Sequence, residues 1–155
     1  MTNTTVISAF PGTGKSHLFR KAEGHRTWVM DSDSSLFSWL SPGVRNPEFP
    51  QNYIQHIQEH IGRADWILVS SHREVRDALK AAGIQYVSVY PSVSCKAEYL
   101  QRFVDRGSPE QFIHLLTNNW GLWLNDMFSD TWGPEHEHMV LNQGQYLSDV
   151  VYLKN

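Results

Sequence analysis

Apolar and polar positions along the chain repeat in two alternating patterns. Residues 5–10 are β-branched and apolar and stop at a Pro-Gly turn, while 16–22 suit a helix, so the chain opens as strand, loop, helix. A second apolar run, 25–30, closes on Asp31, Ser32 and Asp33, with a helix starting near Ser34. Residues 41–50, rich in Pro, Gly and Asn, read as an irregular connection. Over 51–61, Tyr53, Ile54, Ile57 and Ile61 recur at helical spacing and Gly62 is the stop. The short continuous apolar run 66–69 has the pattern of a strand buried on both faces of a parallel sheet, and it ends in Ser70, Ser71 and His72. A helix carrying Val75, Ala78, Leu79 and Ala82 follows, then a fourth strand over 84–90 broken by Pro91. Residues 94–106 are helical with Leu100, Phe103 and Val104 on one side. Ser108-Pro109-Glu110-Gln111 starts a helix through the aromatic stretch 112–128. A last strand is expected at 139–141 and a last helix over 146–153. Strands alternating with helices imply an α/β sandwich with a mainly parallel sheet.

Composition narrows the function classes. A chain of 155 residues fits one domain over 1–155, and roughly two-thirds of its unfolded surface can be buried without a disulfide or metal. Cys95 is the only cysteine and reads as a half-buried helix residue; this excludes an intramolecular disulfide framework and agrees with a reducing interior. Residues 1–5 are short and polar, with no basic run leading into a long apolar stretch, so a soluble cytoplasmic protein with no membrane partner is expected. A formal charge of -3 argues against a broad basic face for long nucleic acid, but allows a local cationic pocket. Six Trp, six Tyr and seven Phe serve core packing and also offer faces on which a base can stack.

The chemistry is concentrated between the first strand and the first helix, at Ala9-Phe10-Pro11-Gly12-Thr13-Gly14-Lys15-Ser16. Glycines let the backbone turn so that successive N–H groups face an anion, and the helix start adds its positive end. Pro11, Gly12, Thr13, Gly14, Lys15 and Ser16 are therefore the candidate nucleotide-binding residues, with Lys15 neutralising β- and γ-phosphate charge and the Ser16 hydroxyl ligating Mg²⁺. The strict pattern begins with Gly; here Ala9 holds that position. The loop resembles that of the P-loop kinases of nucleotides and small metabolites, and the chain is also similar to short phage-encoded members described as kinases or ATPases. The resemblance implies a three-layer P-loop NTPase fold with a mainly parallel five-stranded sheet and sites at the strand C-terminal ends. It also implies an acceptor region after strand two, an arginine-bearing lid after strand four, and ATP and Mg²⁺ as cofactors.

Asp31 and Asp33 alternate across the end of the second strand and resemble the Asp-Ser-Asp of shikimate-type kinases. That resemblance puts Asp31 toward the metal region and makes Asp33 the carboxylate that orients an acceptor hydroxyl and takes its proton. Arg45, in the irregular segment, can grip a phosphate or carboxylate through two parallel hydrogen bonds. Ser70, Ser71, His72, Arg73 and Arg76 follow the third strand and point to the same cleft, with Ser71 and His72 the candidate acceptor contacts. Arg102 and Arg106, four apart on a helix ending at Gly107, resemble lid arginines that stabilise charge moving onto the β–γ bridge. Lys15, Asp33, Arg102 and Arg106 are thus the catalytic candidates.

A competing pattern is His56-Ile57-Gln58-Glu59-His60, the His-x-x-Glu-His of inverted zinc peptidases, with a distant carboxylate from Glu135-His136-Glu137-His138. Ile54, Ile57 and Ile61 already define the buried stripe of that helix, and the histidines lie beside it. A non-catalytic nucleotide-binding module needs no acceptor carboxylate, and a switch-type NTPase wants an Asp where the third strand ends in Ser70 and Ser71. The reading that follows is transfer of the γ-phosphoryl group of ATP to a small nucleotide, a (deoxy)nucleoside monophosphate first. The alternative is a hydroxyl acceptor: a nucleoside, a metabolite or a hydroxymethylated base in DNA.

Overall fold

A computed structural model describes residues 3–32 and 34–153. Five strands, β1 (Thr5–Ala9), β2 (Val29–Asp31), β5 (Trp66–Ser70), β6 (Val87–Pro91) and β7 (His138–Leu141), form one sheet in the order β2-β5-β1-β6-β7. Every pairing in it is parallel. A two-stranded antiparallel hairpin, β3 (Trp39–Ser41) and β4 (Val44–Arg45), stands apart from it. The helices are α1 (Lys15–Lys21), α2 (Ser35–Ser38), α3 (Gln51–His60), α4 (Arg73–Ala81), α5 (Lys96–Asp105) and α6 (Glu110–Ser129).

Side chains alternate across a strand with period two, so β1 feeds both faces of the sheet. Val6 packs with Ile67 and Val69 of β5 against Tyr53 and Ile57 of α3 and Val75 and Leu79 of α4. Ile7 and Ala9 pack with Leu68 and Val89 against Leu18 of α1 and against Leu147 and Val151 near the C-terminus. A third cluster joins Phe10 and Tyr90 to Tyr99 and Phe103 of α5 and Leu116, Trp120 and Leu124 of α6. The result is a parallel five-stranded sheet with helices on both sides, an α/β fold. Parallel order leaves the ends of β1, β2 and β5 side by side, which brings the phosphate loop, Asp31 and Ser70 to one edge.

Four segments depart from the sequence expectation. The second strand begins at Val29 rather than at 25, because the end of α1 runs on into turns, with the His25 N–H donating to Ala22 O. Where 41–50 was expected to be irregular, its first residues complete the β3–β4 hairpin that begins at Trp39 and turns at Pro42-Gly43, with Gly43 at φ 79°. The fourth strand begins at Val87, since the Ile84 N–H closes α4 on Leu79 O, and Pro91 is its last residue. Over 146–153 there is only a 3₁₀ turn, Leu147–Asp149. The Tyr146 N–H donates to the Asp149 carboxylate and the Leu147 N–H to Thr13 O, so this segment is fastened to the phosphate loop instead of winding into a helix. Cys95 is fully buried, in a 3₁₀ turn ahead of α5. Among the described residues no helix is long and apolar enough to cross a membrane.

Candidate functional site

The loop 9–16 leaves β1 with the Phe10 N–H bonded to Val89 O at 2.9 Å. Ala9 sits within the strand, paired with Ser70 and Val89 and fully buried, so the departure from the strict motif falls at a position needing no left-handed backbone. Gly12 and Gly14 do need it, at φ 85° and 93°. They also lack room for a side chain: a Cβ at Gly12 would stand 3.1 Å from the Phe103 and Tyr99 rings, and one at Gly14 3.0 Å from the Tyr146 ring. Thr13 is buried and its hydroxyl donates to Phe10 O at 2.8 Å, which braces the turn from inside.

Lys15 is the first residue of α1 and lines two cavities, one on each side of the loop. Beside it the Ser16 hydroxyl donates to Asp31 Oδ2 at 2.9 Å. A hydroxyl and a carboxylate oxygen held together at a phosphate loop are the hard donors that suit Mg²⁺. Asp33 lies outside the described residues.

The first cavity, about 510 Å³, is lined by Pro11, Lys15, Ser16, Asp31, Arg45, Ser71 and His72 together with Ser32, Ser34, Ser38, Trp39, Phe49, Ser70 and Glu74. It collects most residues the sequence assigned to the acceptor. Arg45 reaches it from β4, with its guanidinium 5.2 Å from the Trp39 ring centre and 5.3 Å from that of Phe49, and donates to Glu74 Oε2 at 3.2 Å. His72 caps α4. Its side chain is exposed to the cleft, yet desolvation by surrounding protein, with the Lys15 and Arg76 charges, moves its pKa below the ordinary 6.5. At neutral pH the ring is uncharged and able both to donate and to accept.

The second cavity, about 550 Å³, is lined by Pro11, Gly12, Gly14, Lys15 and Ser16 of the loop and by Arg20, Arg102, Arg106 and Tyr146 among others. Arg106 is exposed and lies over the Phe103 ring at 5.2 Å. Arg102 is mostly buried and both its terminal nitrogens are committed, Nη1 to Gly12 O at 2.7 Å, and Nη2 to Glu98 Oε2 at 2.6 Å and Gln145 O at 3.1 Å, while Nε is buried without a hydrogen-bond partner. Its guanidinium also faces Tyr99 at 4.3 Å and Tyr146 at 3.8 Å. Glu98 in turn accepts from the Gly144 N–H at 2.8 Å. The two arginines of the predicted lid therefore differ: Arg106 is open to the cavity, and Arg102 pins the phosphate loop to the 142–147 segment.

Arg76 needs correction. It does not face the acceptor cleft; its side chain is 3% exposed and binds Asp126 and Asp130, the latter at 2.5 Å, while Nε donates to Ser71 O at 2.9 Å. Lys80 also reaches Asp130 at 2.5 Å, and Arg73 reaches Asp126. Burial works to raise the Asp130 pKa, but hydrogen bonds from Lys80 and Arg76 overcome it and hold the carboxyl below its ordinary range. Sequence reasoning missed this network, although Asp126 and Asp130, four apart on an aromatic helix, were visible opposite Arg76 and Lys80, four apart on α4. It also missed Tyr146, which carries no motif.

The histidines of the zinc pattern are engaged locally. His60 Nδ1 lies 2.8 Å from His56 O, and His56 Nε2 lies 3.4 Å from Ser32 Oγ. His136 and His138 stack at 4.3 Å and contact Ser88 and Tyr90 on β6. Among the described residues no group of three His, Cys, Asp or Glu side chains is placed to hold a metal ion.

No family model matches the chain, and no curated protein sequence matches it either. Among solved structures it is similar to the tunicamycin resistance protein of Deinococcus radiodurans, with a TM-score of 0.58 at 15% identity, over 100% of this chain and 99% of that one. The likeness is one of fold. It extends along the full length of the chain and agrees with the α/β architecture.

Proposed function

We propose that the protein transfers the γ-phosphoryl group of ATP to a small acceptor, with Mg²⁺ as cofactor. The observation that carries this reading is the position of Lys15, between a cavity on the loop side and a separate polar cleft, with the Ser16–Asp31 pair at the junction. A protein that only binds nucleotide needs the loop-side cavity and not the polar cleft. In the transfer, an acceptor oxygen bonds to the γ-phosphorus as the bond to the β–γ bridging oxygen breaks, leaving ADP. Lys15 and the loop N–H groups stabilise charge on the phosphates, and Arg106 offers a further cation on the bridge side. Ser16 and Asp31 oxygens would hold Mg²⁺, which would supply additional charge neutralisation.

A (deoxy)nucleoside monophosphate fits the acceptor cleft with its phosphate between Lys15 and Arg45. One observation favours the hydroxyl alternative: Arg45 is the one guanidinium lining the cleft among the described residues, and it is already paired with Glu74. The test is ADP release and mass-spectrometric product detection with nucleoside monophosphates, nucleosides and hydroxymethylated DNA, each with wild type and Lys15→Ala. The neighbour's name puts tunicamycin in the same screen. Acceptor-dependent ADP release lost in a folded Lys15→Ala variant is the expected result. ATP turnover unaffected by every acceptor would refute transfer.

A further inference from the structure

Behind His72 a smaller, more apolar cavity of about 230 Å³ adjoins the acceptor cleft. Pro11, Ser71 and His72 line both spaces, so the two meet at the turn that follows β5. The inner wall is apolar: Phe10 and Met127 are buried, and Phe112 and Trp123 are half-buried. The outer wall is the Arg73–Asp126 ion pair. An apolar slot with a donor and an acceptor at its rim is the usual composition of a site for a flat organic ring.

The rings of this wall are not equally occupied. Phe10 packs edge-on against Trp120 at 5.5 Å, and Phe112 against Phe103 at 4.9 Å. Trp120 and Trp132 anchor their indole N–H groups on Val93 O at 2.9 Å and Tyr86 O at 2.7 Å. Trp123 makes neither a ring contact nor a hydrogen bond among the described residues, although buried or half-buried indoles usually place their N–H on a partner. A large aromatic face with a free donor therefore lines a cavity that adjoins the acceptor cleft.

We infer that this cavity is the ring subsite of the acceptor: it takes a planar heteroaromatic group, a nucleobase, against Trp123, and leaves the sugar and the reacting oxygen in the cleft beside Lys15. This rests on the phosphotransferase reading and adds to it the chemical class of the acceptor. Trp123 supplies stacking area, and the Arg73–Asp126 pair meets the polar edge of the ring. An acceptor without a ring, such as a sugar phosphate or a polyol, leaves the cavity unfilled.

The experiment is calorimetric titration of the full chain with each of the four deoxynucleoside monophosphates and with deoxyribose 5-phosphate, which has the same sugar and phosphate without the base. ATP is titrated separately. At least one nucleotide is expected to bind about tenfold or more tightly than deoxyribose 5-phosphate, within the range that stacking of one base contributes. Trp123→Leu should reduce that preference to about twofold, and Trp123→Phe should keep most of it. If the leucine variant does not fold, magnetisation transfer from base protons to the Trp123 indole N–H in wild type replaces it, and its absence overturns the assignment. Equal binding of all five ligands, no binding of any, or a preference unchanged in Trp123→Leu also overturns it. ATP binding distinguishes the two failures: retained and dependent on Lys15, it leaves the phosphotransferase reading standing while the ring subsite falls, and its loss removes both.

Discussion

Replacing Arg76 by Met tests how the acceptor turn is held in place. The side chain is almost fully buried and makes charge-assisted bonds to Asp126 and Asp130, together with a bond from Nε to Ser71 O. Removing one partner of a buried pair typically costs about 3–5 kcal/mol, because the other is left desolvated and unpaired. Here each acid retains a second cation, Arg73 for Asp126 and Lys80 for Asp130, so the lower end, about 3 kcal/mol, applies. For a chain of this size that lowers Tm by about 6–12 °C. Urea denaturation of both proteins, with the m-value checked for change, measures it. The freed Ser71 carbonyl adds a functional signature: acceptor KM should rise while ATP affinity stays near wild type, since Arg76 touches the turn after β5 and not the phosphate loop. A loss under about 1 kcal/mol, or equal weakening of ATP and acceptor, would refute the reasoning.

Asp31→Asn should raise the Mg²⁺ concentration needed for half-maximal turnover by about tenfold or more while leaving stability nearly unchanged, measured as activity against free Mg²⁺. Arg102→Met should weaken ATP binding and lower Tm together, because it releases Gly12 O and Gln145 O. Arg106→Ala should lower kcat with little effect on ATP Kd, and the opposite pattern would exchange the roles of the two arginines. His136 is depressed from 6.5 to about 4 by burial and by His138, so the unfolded chain binds its proton first. Its contribution is fully present above about pH 6.5, falls as pH drops and levels off near pH 4; His136→Gln should flatten that limb in denaturation curves taken across the range.

The parallel sheet was legible because its inner strands are short continuous apolar runs, a pattern that both-face burial requires, with helices of clear 3.6 period between them. What was not legible was set by partners distant in sequence. Residues 146–153 have the composition of a helix, but the Leu147 N–H finds Thr13 O and the Tyr146 N–H finds Asp149. The site divides in the same way. The loop and Asp31 follow from local order, since each ends a strand that parallel pairing must align. From their positions Arg76 reads as a cleft arginine and Arg102 as a lid arginine, and what each side chain meets is set by α6 in one case and by 142–147 in the other.

Those two arginines have a common consequence for how the site is built. Each donates to a main-chain carbonyl of a functional turn, Arg102 to Gly12 and Arg76 to Ser71, and each is held by acids elsewhere, Glu98 for one and Asp126 with Asp130 for the other. A carbonyl fixed from behind leaves the N–H groups of its turn directed outward, which is the preorganisation that phosphate binding and acceptor positioning require. The two supports come from different helices and share no residue, so disturbing one should not propagate to the other beyond a few tenths of a kcal/mol. The proposed nucleotide half and the proposed acceptor half of the site therefore have separate mechanical foundations, and meet only at Pro11, Lys15 and Ser16, the residues both cavities have in common.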